Sequence, residues 1–598
     1  MYKEDFYIIA YERIKSAPGN LTPGSDGNTI DGMSLEIIHK IIQERRTEQF
    51  QFKPVRTVYI PKANGKMRKL GIPSTRDKLV QEVIRMILEC IYDSPYGPYF
   101  HETSHGFRPN RSCHTALRAI RKTWTGTNWF LEGDISACFD SIEHGVLVNL
   151  LRKKIKDERF LNLIWKLLRA GYLDLQGARK DSLAGTPQGG LVSPILANVY
   201  LHELDEKVEE IRKREECGNK KAENPLHRQL TRRIYHLRKK GENNSKDIRE
   251  LVKRRRSLPS VVINDPNFIR IKYQRYADDW IIGVCGPRRL TEQIKEELKS
   301  FLKEHLKLTL NEEKTRITHA REEQAQFLGT LISVGRGTKT AKITLTKNGT
   351  GHLIKRRSTG QEILMMAPMK NLIHRLHTRG FCTSEGKPTA KRGWTFLDAD
   401  QIVRLYSSIN RGIQNYYRFA DNFGHLARIQ YILQFSLVKT LATKYKVSGK
   451  HIFQKYGKNI TVMVKAKQGE KDHVISLYLN QDWTKQRNGF TTCDAKIDLV
   501  QWALRMRTRS KLGKACCVCS SPLQLEMHHV RHIRKLGGKK PTGFTVILQT
   551  LNRKQIPVCK ACHRKIHRGE YDEMRLADLA YNPYASEKHK RFSESRIR

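Results

Sequence analysis

The chain reads as an α+β protein of several domains, and three observations predict this. The first is a β-hairpin pattern around Tyr276-Ala277-Asp278-Asp279, flanked by the apolar stretches Ile271-Lys272-Tyr273 and Trp280-Ile281-Ile282-Gly283-Val284. The second is a helical stripe after Asp398, a plausible N-cap, in which Ile402, Leu405, Tyr406, Ile409, Ile413, Tyr416 and Tyr417 recur mostly at steps of three and four. The third is two C-x-x-C pairs near the C-terminus, Cys516/Cys519 and Cys559/Cys562.

Length and composition bound the answer. A chain of 598 residues has room for about three to five domains. Lys plus Arg number 110 against 60 acids, a formal charge of +50. Such an excess repels itself unless a polyanion is present, which points to nucleic acid. The basic residues run throughout rather than along one amphipathic helix, so a membrane surface is disfavoured. No apolar run reaches the ~18 residues of a membrane span. The start, Met1-Tyr2-Lys3-Glu4-Asp5, lacks the apolar block of a signal peptide. Seven of the 12 cysteines are scattered singly, unlike a disulfide scaffold.

The hairpin carries the chemistry. A tight turn aims Asp278 and Asp279 into a cleft, and adjacent carboxylates ask for a divalent cation. Hard oxygen ligands suit Mg²⁺, and two such ions about 3.5–4 Å apart clamp the oxygens of a phosphoryl transfer. Asp134, where a strand led by apolar residues ends within the stretch Trp129–Asp140, is expected to complete a three-carboxylate site, while Asp140 is expected to N-cap a helix starting near Ser141. Asn64-Gly65 signals a second hairpin, with Lys62, Lys66 and Arg68 on its flanks.

In order, the blocks Thr22–Gly27, Val58–Pro73, Ser104–Ser112, Trp129–Asp140, Gly185–Pro194, Tyr276–Asp279, Leu310–Thr315 and Phe327–Gly329 resemble the group II intron-encoded reverse transcriptases, or maturases. The resemblance implies a right-hand polymerase fold of fingers and palm, with an α-helical thumb. It implies that Lys62 and Arg68 grip the phosphates of an incoming deoxynucleoside triphosphate and that Gln188 packs on that nucleotide. Phe139 matches the position that blocks a ribose 2′-OH, beside plain core packing. Lys314 matches a lysine proposed to protonate pyrophosphate, and a surface lysine is the alternative. The run Tyr406–Tyr417 resembles the thumb, which holds intron RNA. Its aromatic stripe is expected in the helix core, with Arg404, Arg411, Arg418 and Arg428 as phosphate contacts.

The C-terminal thiols Cys516, Cys519, Cys559 and Cys562 suit a tetrahedral structural Zn²⁺, with Cys517 the less favoured member of the first pair. Four histidines lie around these pairs, and His563 and His567 share one helix face. They resemble the HNH nuclease ββα-metal motif. By that resemblance His528, His563 and His567 ligate the nuclease divalent cation, and His529 activates water. Asn552 is the one nearby candidate for the motif's asparagine.

The expected organisation is fingers and palm over 1–335, with a basic insertion at 205–265 suited to RNA, and a linker and helical thumb over 336–445. A DNA-binding region over 446–505 and a zinc-stabilised HNH domain over 506–598 follow. The implied partners are group II intron RNA in a ribonucleoprotein, double-stranded target DNA and deoxynucleoside triphosphates. The expected compartment is a bacterial cytoplasm or an organelle.

Overall fold

A computed structural model describes residues 1–15, 22–61, 67–94, 96–173, 179–180, 185, 189–241, 246–262, 265–335, 342–347, 353–358, 361–464, 473–491, 510–530, 555–571 and 579. Lys62, Gln188, Asn552 and the Asn64-Gly65 turn lie outside these residues.

Four antiparallel strands form the central sheet, in the order Arg270–Tyr276, Asp279–Cys285, Trp129–Gly133 and Arg316–His319. Phe130, Leu131, Ile281 and Ile282 fill its interior and are fully buried. The register sets Gly133 opposite Trp280. A Cβ at Gly133 would stand 2.1 Å from the indole. A glycine there lets the strand pass Trp280 and deliver Asp134 just beyond the sheet.

The expected hairpin is present. Tyr276 pairs with Asp279 across the two-residue turn Ala277-Asp278, and Ala277 takes a left-handed φ of 57°. A buried ion pair anchors this turn. Arg275 and Asp205 are both 0% exposed and meet at 2.6 Å. Arg275 also donates to Ala277 O at 3.0 Å and Ser104 Oγ at 2.9 Å, while Tyr273 donates its hydroxyl to Asp205 at 2.9 Å. Every polar arm of the pair is thereby matched, as a buried charge requires.

Asp205 lies on the helix Ser193–Glu215, which crosses the boundary expected at residue 205. Val208 and Ile211 on that helix are buried in the core beneath the sheet, so the basic excursion starts after the helix ends. The excursion is a helical hairpin of Pro225–Lys239 and Lys246–Ser257. Ile234 and Ile248 are its buried residues, and Arg238, Lys239, Lys253, Arg254 and Arg256 face solvent. The capping expectation for Asp140 is corrected: it lies inside the short helix Cys138–Ser141. Glu143 caps the next helix instead, because its longer carboxylate reaches the free N–H groups of Gly145 and Val146.

The strands Val55–Pro61 and Met67–Ile72 pair antiparallel and continue into the short strands Tyr172–Leu173 and Arg179–Lys180. Helices Ala399–Tyr416 and Ala427–Tyr445 pack through Ile402, Tyr406, Ile429, Leu433 and Leu437, a separate core. Asp398 occupies the N-cap of the first of these helices without a side-chain capping bond. The strands Thr461–Val464 and His473–Ser476 form a ribbon beside Ile460 and Leu477, which join the same core. Two phenols tie this helical body to the central sheet region: Tyr416 donates to Leu328 O and Tyr417 to Gly329 O at 2.8 Å.

At the C-terminus, Leu525–His529 pairs antiparallel with Gln555–Cys559, and the helix Lys560–Arg568 follows. This is the expected ββα unit. Its Met527 is part of the large N-terminal core, and it pairs with Met33 in an antiparallel bridge. Among the described residues no helix is long and apolar enough to cross a membrane.

Candidate functional site

Three carboxylates meet where the strand and hairpin end. Asp134, Asp279 and Lys314 line one cleft with Gly133, Trp280 and Leu328. Lys314 Nζ lies 2.8 Å from Asp134 Oδ2. That hydrogen bond raises the Lys314 pKa and keeps its ammonium protonated. Asp279 is accessible at the cleft. Desolvation by the cleft walls, then the charges of Asp278 and Asp134, push it up to about 7. Asp278 is raised as well, by desolvation first and by Asp134 next, while Lys314 and Arg68 oppose the shift. Mutual repulsion of this kind is what a divalent cation relieves.

Of the residues expected to hold the nucleotide, Arg68 is exposed on the strand Met67–Ile72, and its charge acts on Asp278. Phe139 is half-buried and packs edge-on against Phe107, whose ring is 50% exposed. Gly189, at φ 111°, lies so close to Gly71 that a Cβ would stand 2.5 Å from its carbonyl oxygen. Gly189 is thus pinned against the strand Met67–Ile72.

The terminal clusters are tighter. The ligand atoms of Cys516, Cys519, Cys559 and Cys562 all lie within 4.8 Å of one another, as do those of Asp31, His528, His563 and His567. Cys519 Sγ and Cys559 Sγ are 3.7 Å apart. Thiolates about 2.3 Å from a tetrahedral ion would be separated by about 3.8 Å, so the donor set and spacing fit zinc. Cys517 is buried outside the cluster, where burial pushes its thiol up to about 12.

The three histidines expected to converge do so. His563 Nε2 and His567 Nε2 are 3.1 Å apart, and the buried His528 Nδ1 has no hydrogen-bond partner. An orphaned imidazole nitrogen facing two others fits a cation site. Glu526 lies 2.6 Å from His563 Nδ1 and turns Nε2 toward the cluster. His529 is 3% exposed. Its Nδ1 donates to Asp31 Oδ1 at 3.1 Å, and its Nε2 accepts from Gln555, which in turn accepts from the Tyr11 hydroxyl.

Sequence reasoning missed Asp31, Gln555 and the Arg275–Asp205 pair. The first two partners of His529 carry no local signature, because Asp31 lies 498 positions away. Gln555, polar in the otherwise apolar strand Gln555–Cys559, was the available hint, whereas Arg275 sits among other polar residues and gave none.

Comparison with known proteins finds matches to three parts of the chain. Residues 60–332 match the family model "Reverse transcriptase (RNA-dependent DNA polymerase)", 360–499 match "Type II intron maturase", and 515–563 match "AI2M/AI1M-like, HNH endonuclease". The chain is 38% identical to the "Putative COX1/OXI3 intron 1 protein" of Saccharomyces cerevisiae, over 96% of this chain and 69% of that protein. It is also 38% identical to the "Uncharacterized 91 kDa protein in cob intron" of Schizosaccharomyces pombe, over 95% of this chain and 69% of that protein. With the "Group II intron-encoded protein LtrA" of Lactococcus lactis subsp. cremoris it shares 36% identity, over 95% of this chain and 94% of that protein. Matched along nearly its whole length, the chain belongs to the group II intron-encoded proteins, and it joins an RNA-directed DNA polymerase, an intron maturase and an HNH endonuclease in one polypeptide.

Proposed function

We propose that Asp134, Asp278 and Asp279 are the polymerase carboxylates and that they hold Mg²⁺. The carrying observation is the crowding of three carboxylates: desolvation with the charges of Asp278 and Asp134 raises Asp279 to about 7, and desolvation with the charge of Asp134 raises Asp278. Bound there, Mg²⁺ would supply charge neutralisation at the α-phosphate and activation of the primer 3′-OH. The protein's own part is positioning. The Arg275–Asp205 pair fixes the turn, and Gly133 lets Asp134 approach. Arg68 and Lys62 hold the triphosphate, and Gln188 supports the base. Phe139, half-buried beside the cleft, selects deoxynucleotides by excluding a 2′-OH. The Lys314 ammonium, kept protonated by Asp134, is poised to give a proton to the departing pyrophosphate.

The wider reading divides the chain into fingers and palm over 1–335, thumb over 336–445, DNA-recognition region over 446–505 and nuclease over 506–598. Intron RNA binds the thumb and the basic helical hairpin, where exposed Arg404, Arg411, Arg418 and Arg428 supply phosphate contacts. Cys516, Cys519, Cys559 and Cys562 hold structural Zn²⁺. His528, His563 and His567 hold the nuclease cation. His529 serves as base through Nε2 once Gln555 releases it, while Asp31 holds the Nδ1 proton. Nicking of double-stranded DNA then provides the primer, in a bacterial cytoplasm or an organelle.

The test is primer extension on primed intron RNA, alongside splicing at low Mg²⁺. Asp279→Asn should lower extension by about 10³-fold, on the scale of lost transition-state charge stabilisation, while splicing assistance persists. Extension within threefold of wild type would refute the carboxylate assignment.

A further inference from the structure

The nuclease histidines do not stand alone. A carboxylate from the opposite end of the chain enters their cluster. We propose that Asp31 is itself a ligand of the nuclease cation, so that the ion is held jointly by the ββα unit and the N-terminal segment of the polymerase half. The proposal rests on reading His528, His563 and His567 as ligands.

The geometry favours this role. Asp31 Oδ2 lies 3.2 Å from His567 Nε2, 3.4 Å from His563 Nε2 and 3.7 Å from His528 Nδ1. Ligands about 2.0–2.1 Å from a tetrahedral ion are separated by about 3.4 Å. The fourth corner beside three imidazoles is therefore taken by this oxygen.

The other carboxylate oxygen is engaged independently. Asp31 Oδ1 accepts from the backbone N–H of His529 at 2.7 Å and from its ring Nδ1 at 3.1 Å. The side chain is thus oriented by bonds that need no ion. The backbone around it is fixed too. Gly32 donates to Met527 O at 2.9 Å, and Met527 donates to Met33 O at 3.0 Å. Met33 and Met527 are both 2% exposed, which removes this contact from the class of surface acids that meet a site by chance. Gly32 takes a φ of 83°, and its α-carbon faces His563, where a Cβ would stand 3.8 Å from the ring. A larger residue would strain the turn that carries Asp31.

Cation binding would fasten the nuclease to the polymerase body, because its ligands come from both.

The test uses the full chain with zinc already bound, titrated with Ni²⁺ in a calorimeter, since imidazole sites favour Ni²⁺ over carboxylate sites. His563→Ala should abolish the site. Asp31→Asn keeps the acceptor for the His529 N–H and should weaken Ni²⁺ at least about tenfold, the scale at which even outer partners act. Asp31→Ser, which removes the carboxylate altogether, should weaken it at least as far. The rise in melting temperature caused by Ni²⁺ should shrink in both variants. Wild-type affinity in Asp31→Asn or Asp31→Ser, with loss in His563→Ala, would overturn the role of Asp31 and leave the three histidines standing. Wild-type affinity in His563→Ala would remove the nuclease-site reading itself.

Discussion

Replacing Asp205 by alanine attacks the polymerase turn from behind. Asp205 and Arg275 are both 0% exposed and 2.6 Å apart. Removing the carboxylate leaves a guanidinium buried without its counter-charge and strips the Tyr273 hydroxyl of its acceptor. Breaking a buried pair in this way costs about 3–5 kcal/mol, a fall of more than about a hundredfold in the folded-to-unfolded ratio. Arg275 also bonds Ala277 O, so the turn bearing Asp278 loosens. A displacement of about 1 Å at a reacting group can cost about 10²-fold in rate. Urea unfolding followed by tryptophan fluorescence should show the stability loss, and primer extension the rate loss. The double substitution Asp205→Leu with Arg275→Met separates the two. It should recover most of the stability, since apolar replacement of a buried pair is close to neutral, yet extension should stay low because the bond to Ala277 is not restored. A stability loss under about 1 kcal/mol for Asp205→Ala would refute the reasoning.

Three further outcomes are expected. Gly133→Ala drives a methyl into the Trp280 indole, to within 2.1 Å of its atoms unless something shifts; unfolding should show a loss of about 1–3 kcal/mol, with extension falling alongside. His105 is 3% exposed, and burial followed by the charge of Arg111 lowers its pKa to about 3. Between pH 6.5 and 3 the unfolded chain therefore binds more protons, so this contribution is complete above pH 6.5 and declines as pH falls, by up to about 1.4 kcal/mol per unit; urea titrations at pH 7.5 and 5.5 should show a smaller difference for His105→Gln. Excising the basic hairpin between Gly218 and Asn267 should flatten the dependence of intron RNA affinity on salt, because fewer phosphates are neutralised; an unchanged slope would assign RNA binding to other surfaces.

Local spacing carried much of this protein into view. Asp278 and Asp279 were legible because a hairpin pattern surrounds them, and Cys516, Cys519, Cys559 and Cys562 because thiols at that spacing have few other uses. His563 and His567 followed from one helical turn. What escaped was whatever depends on two distant segments. Nothing beside Arg275 in the sequence marks it as the partner of Asp205, which comes from another element, the helix Ser193–Glu215. Nothing beside Asp31 points to histidines near the other end of the chain. The boundary at residue 205 was misplaced because the Ser193–Glu215 helix turns polar while one of its faces is still buried.

The hydroxyls of Tyr416 and Tyr417 rest on the carbonyls of Leu328 and Gly329, and Leu328 also walls the cleft that holds Asp134 and Asp279. A load on the helical body that carries these tyrosines would therefore be felt at the rim of that cleft, passed on through two phenol rings.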